Sequence, residues 1–218
     1  MSQVTILVKN NSGASHSYFL FVKAPEVFSN VYIAAPPTPS GNGTAKFIAK
    51  KDYFAVCGTN PGQQLRKNVQ VTTGDWGIAK LNQGGKLGSS FTMTGADGGA
   101  AFDGALLKQA CSQPGSFSIE STNFLFGNGS NQFVGLGAQD PMDATNIVPV
   151  ATFLAQPNTT SYIRPRNQYY ISWGTYVAGE IIDVTTIAEP CEIDFTGKAA
   201  TLAKVEHRLD GTWAITFN

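Results

Sequence analysis

Side chains that commonly drive catalysis are scarce in this chain. Its 218 residues include two histidines and three cysteines, and only 14% are charged. No G-x-S-x-G elbow, G-x-x-x-x-G-K-[ST] loop or H-E-x-x-H motif occurs. The pairs Gly127/Gly129 and Gly135/Gly137 are too short for a dinucleotide fingerprint, and no helical pattern follows them, so no nucleotide cofactor is expected. Lys+Arg and Asp+Glu balance at 15 each, leaving no field to attract nucleic acid. No apolar run reaches membrane-spanning length, so no membrane span is expected. Cys57, Cys111 and Cys191 are far apart and odd in number, which fits buried free thiols, with one disulfide as the alternative.

What is plentiful is glycine, aromatic residues and alternation. Short apolar–polar runs recur about every ten residues, split by Gly, Pro, Asn and Ser, from Val4–Lys9 to Thr212–Phe217. That spacing predicts an all-β fold, an antiparallel sandwich or barrel-like architecture of jelly-roll type. One short helix is expected near 103–111, with Asp103 as cap and Leu106, Leu107 and Ala110 as its stripe. Residues 34–44, with Pro36, Pro37 and Pro39, read as a loop. Asp210-Gly211 suggests a type I′ hairpin turn between the last two strands. The organisation expected is one all-β domain over 1–218, the alternative being two packed halves meeting near 100–115.

The first residues, Met1 to Lys9, alternate like a strand and lack a basic segment followed by an apolar one. A cytoplasmic location is therefore expected, or secretion if a leader was removed. Sequons at Asn10, Asn42, Asn128 and Asn158 would suit the latter.

No metal is expected. His16 reads as solvated and His207 as a structural strand histidine, and no third ligand is at a supporting spacing. The oxygen-rich run from Gly137 to Asn146 lacks the order of a calcium loop and is equally well explained as a turn. Glu180, Asp183, Glu189, Glu192 and Asp194 flank strands without forming an assignable pair.

The densest aromatic and cationic stretch runs from Tyr162 to Tyr176. By alternation Tyr169, Ile171 and Trp173 share one face and Tyr170, Ser172 and Gly174 the other. One face can line a pocket for an apolar or aromatic small molecule; a core strand followed by a basic turn is the competing reading. The candidate catalytic residues are Arg164 and Tyr169 as donors to a carbonyl or enolate oxygen and Trp173 as a stacking surface. Tyr162, Arg166, Tyr53 and Lys51 are the candidate substrate-binding residues.

Several segments resemble small fungal all-β proteins of natural-product clusters, including the hetero-Diels–Alderases of tropolonic sesquiterpenoid biosynthesis. They are Asn10-Asn11-Ser12-Gly13 leading into Tyr18-Phe19-Leu20-Phe21, Tyr53 to Gly58, Val148 to Phe153 and Gly179 to Thr186. The resemblance implies a cofactor-independent cycloaddition, which needs no nucleophile or metal. It transfers no catalytic residues, because no shared motif carries them. A leaderless fungal lectin using Trp76 beside Asp75 is the alternative function, and a pore-forming or defence protein is a third.

Overall fold

Alternation is realised most plainly in the strand near the N-terminus. In β1 (Gln3–Asn10) Val4, Ile6, Val8 and Asn10 point inward while Gln3 and Lys9 stay exposed. The same rule sorts Ala45, Phe47 and Ala49 inward in β4 (Thr44–Lys50), and Ala203, Val205 and His207 inward in β17 (Leu202–His207). With β18 (Trp213–Phe217) these form a four-stranded sheet ordered β18-β17-β1-β4. β1 and β17 run parallel, with Val8 opposite Val205. The computed structural model describes residues 3–23, 27–62, 64–96, 99–104, 108–124 and 131–218.

The largest sheet is antiparallel. Its order begins at β16 (Cys191–Asp194), β14 (Gln168–Trp173), β2 (His16–Phe21) and β3 (Phe28–Thr38). It continues through β12 (Ile147–Leu154), β11 (Gln132–Gln139), β5 (Tyr53–Thr59) and β6 (Asp75–Ala79), with β15 (Ile181–Ile182) paired to β3. A third sheet orders β13 (Thr159–Ile163), β10 (Phe117–Ser121), β7 (Gly88–Ala96) and β8 (Gly99–Phe102), and β9 (Lys108–Cys111) pairs with β7. The sheets curl into a sandwich-like half-barrel. One apolar core takes residues from all three, among them Ile6, Phe47, Tyr18, Val134, Met93 and Phe117.

The large sheet is buried on its second face as well. Phe19, Phe21, Val31 and Tyr170 form an outer cluster with Ile182, and Phe133 joins Leu65, Val69, Val71 and Ile181. Two irregular straps, 64–73 and 174–190, supply the covering side chains. They bind each other through backbone: Asn68 N–H donates to Ile181 O, Ile181 N–H to Val69 O, and Val71 N–H to Gly179 O. With this pairing 69–73 forms no strand of its own, and β15 stops after two residues. Asp183 turns the chain there, accepting from the N–H and hydroxyl of Thr185.

Three local expectations need correction. The helix expected near 103–111 does not reach 108–111: Gly104 is in a 3₁₀ turn, Lys108–Cys111 is a strand on β7, and Leu106 and Leu107 lie outside the described residues. At 108–111, pairing with β7 supplies ladder bonds that so short a helix cannot match. β3 runs through Pro36 and Pro37 to Thr38, pairing with β2. Its other neighbour, β12, meets only Phe28 and Ser29, so the prolines occupy a stretch whose second edge requires no donor. In the last hairpin, positive φ is confined to Gly211, and Gly211 N–H donates to Arg208 O. This is a three-residue loop with a left-handed glycine, not a type I′ turn.

Candidate functional site

A cleft of about 260 Å³ opens at the Gln168 end of β14. Its floor comes from sheet residues that face the core, Leu136, Ala151 and Phe153, together with Val22 and Val27. The end of β13 and the following turn supply its rim: Tyr162, Ile163, Arg164, Pro165 and Arg166. Lys23 adds a third cation. Pro165 fixes φ between the two arginines, and all three cations are solvent-exposed above an apolar base. Tyr162 is 54% exposed and offers an aromatic face at the rim. Arg164 lies over the turn at Gly115, where an added Cβ would sit 3.2 Å from Nε.

The remaining candidates are elsewhere. Tyr169 follows Gln168 but points into the core, 7% exposed. Burial, and then the nearby Tyr53 and Tyr32, push its phenol well above the ordinary tyrosine value. Its hydroxyl has no hydrogen-bond partner among the described residues. Tyr53 packs against the same core and its phenol is also raised by burial; Lys51 precedes it and does not line the cleft. Tyr32 donates to Gln139 O at 2.6 Å. The three tyrosines thus form an interior cluster. Phe19 and Phe21 lie apart from it, on the outer face.

Trp173 is at the opposite end of β14, about 16 Å from Gln168 at the usual strand rise. It packs against His16, ring centroids 4.4 Å apart. His16 lies 5.4 Å from His207, and His207 stacks on Trp213 at 4.2 Å. Both histidines therefore share one ring ladder, Trp173–His16–His207–Trp213, which sequence reading missed. The pairing of β1 with β17 and of β2 with β14 brings them together, across a separation of 191 positions that no local pattern encodes. Tyr18 Oη is 2.9 Å from His207 Nδ1. Burial pushes that phenol up to about 12, so it remains protonated, and which of the two donates depends on the His207 tautomer. His207 is 4% exposed, and burial followed by the neighbouring His16 holds its imidazole below the usual value.

Other sequence candidates are tied to structural work. Trp76 is 43% exposed, but its ring meets the face of Phe54 edge-on. Asp75 accepts from Trp76 N–H with one carboxylate oxygen and from Phe102 N–H with the other, which fixes its orientation between β6 and β8. Asp140 accepts from Met142 N–H and Asn146 Nδ2, and Asp143 from Thr145, which makes the Gly137 to Asn146 run a set of side-chain-capped turns. All three cysteines are buried and free, and burial pushes the Cys191 thiol up to about 12. Among the described residues no cluster of three or more His, Cys, Asp or Glu could hold a metal ion, and no helix is long and apolar enough to cross a membrane.

No curated protein and no solved structure matches the chain. A family model does, over residues 2–216, which takes in the strand that opens the fold, the cleft, the ring ladder and the closing hairpin. The protein belongs to the RhiA family.

Proposed function

We propose that the protein is a cofactor-independent small-molecule cyclase of hetero-Diels–Alder type, acting at the cleft bounded by Tyr162, Arg164 and Arg166. The observation that carries this reading is the joining of an apolar floor to two guanidinium groups in one concavity. The resemblance to fungal hetero-Diels–Alderases agrees with it. A cycloaddition forms two σ bonds from three π bonds, leaves one new π bond and releases nothing. It therefore asks for placement and for donors, not for a nucleophile.

The apolar floor would hold the flat body of one reactant, and the open side would admit the other. Fixing the two near attack distance removes much of the entropic part of the barrier. A guanidinium donates two parallel hydrogen bonds to a carbonyl oxygen that gains negative charge in the transition state. Tyr162 supplies an aromatic wall. Tyr169 lies behind the cleft in the core, and Trp173 is too distant to take part.

The test is conversion of a reactive quinone methide and a polyene partner, followed by product stereochemistry against the uncatalysed background. Replacing both arginines, in Arg164→Ala/Arg166→Ala, is expected to lower turnover about tenfold. That is less than the roughly hundredfold loss at a dry oxyanion site, because this cleft is open. Unchanged turnover in the double variant would move the chemistry away from the cleft.

A further inference from the structure

We propose that the cleft selects an amphipathic anion: a flat apolar body bearing one carboxylate-, enolate- or phenolate-type oxygen. This deepens the cyclase reading and rests on the same site.

Three observations support it. The chain is neutral overall, yet the described lining holds three cations, Lys23, Arg164 and Arg166, and no acid. None of the three has an ion-pair partner among the described residues, where the one ion pair joins Arg208 to Glu206 on another sheet. The acids that share a neighbourhood with Arg166, through Tyr170, are Glu192 and Asp194. Both are held by Gln168 Nε2, at 2.8 and 3.3 Å, and Asp194 also accepts from Thr196 N–H. Among the described residues no carboxylate is ion-paired to the guanidinium groups at the rim, which stand directly above apolar side chains.

Arginine suits this task because its planar fork meets a carboxylate with two bonds and its weak hydration lowers the cost of approaching an apolar surface. Size narrows the class. Filled at the roughly 0.75 density of protein interiors, a space of 260 Å³ takes about 195 Å³ of molecule, a bicyclic body.

Titration calorimetry with 1-naphthoate and its neutral isostere 1-naphthamide tests the inference. Naphthoate should bind about tenfold more tightly at low salt, with the preference shrinking as salt rises. Arg164→Ala and Arg166→Ala should each reduce the preference by weakening naphthoate more than naphthamide, and an unchanged far-ultraviolet circular dichroism spectrum shows that the variants are folded. Equal binding of the two probes, no binding of either at millimolar concentration, or an undiminished preference in both variants would overturn it. The cyclase reading fails separately. Anion preference without any cyclisation removes the enzyme and keeps the ligand class. Cyclisation inhibited equally by both probes keeps the enzyme and removes the anion.

Discussion

Single residues hold this fold together where the straps meet the sheet. Asn30 is fully buried; its Nδ2 donates to Gly179 O at 3.0 Å and its Oδ1 accepts from Thr152 Oγ1 at 2.9 Å. One side chain thus joins β3 to the strap and to β12. Removing it in Asn30→Ala would leave the Thr152 hydroxyl without its acceptor in the interior and take one of the two donors from Gly179 O, which keeps Val71 N–H. The expected loss of stability is about 2–3 kcal/mol, seen as a lower urea midpoint with little change in slope. A midpoint equal to that of the unchanged protein would show that the strap is anchored elsewhere. Asn30 had no signal in the sequence, because an Asn in Phe28-Ser29-Asn30-Val31 looks like a turn residue. Glycine also has its reason at this scale. Gly135 and Gly137, too short a pattern for a dinucleotide fingerprint, are each small for packing reasons. A Cβ on Gly135 would lie 2.1 Å from Ala151 O, and one on Gly137 would meet Val56 and Ile147.

At the scale of elements, alternation made the inward faces of β1, β4 and β17 readable, because each has one wet face. It could not assign β14, where both faces are covered and aromatics point both ways. The stretch from Tyr162 to Trp173 was therefore legible as aromatic and basic but not as two separate ends. Its rim arginines reach the cleft, whereas its tryptophan joins the histidines. That second end makes a pH prediction. Facing His207 are His16 and Tyr18 from β2, Trp213 from β18 and, beyond His16, Trp173 from β14; Glu206 and Arg208 flank it in the chain and pair with each other. The folded state holds its imidazole below the unfolded value of 6.5. Between the two values the unfolded chain binds more protons, so stability is fully present above pH 6.5 and falls as pH drops through that value toward the folded one. His207→Gln keeps a hydrogen-bonding group for the Tyr18 hydroxyl but cannot titrate. Its stability should vary less between pH 7 and pH 5 than that of the unchanged protein, measured by denaturant midpoints. An equal slope in both would remove His207 as the source.

Over the whole molecule, the all-β class was legible from strand spacing alone, whereas which strands pair was not. Pairing depends on contacts between distant segments, and the decisive ones link the two ends of the chain. β1 pairs with β17, β2 with β14, β3 with β12, β5 with β11 and β7 with β10. Each pair joins a strand before residue 100 to one after residue 115, and every sheet contains at least one such pair. A division near 100–115 would cut all three sheets and split the core cluster that spans them. Neither half could keep its apolar faces covered, so unfolding should be a single cooperative step. The ring ladder gives an independent probe: Trp173 and Trp213 sit at one end of the half-barrel, while Trp76 is on β6 at the edge of the large sheet. Tryptophan emission and far-ultraviolet circular dichroism, followed through the same urea series, should superimpose on one transition. Two separated transitions would mean that the shared sheets are not one cooperative unit and would revive two packed halves. A single transition would also set the scale for the substitutions above, since each would then act on the stability of the entire chain and not on that of a local segment.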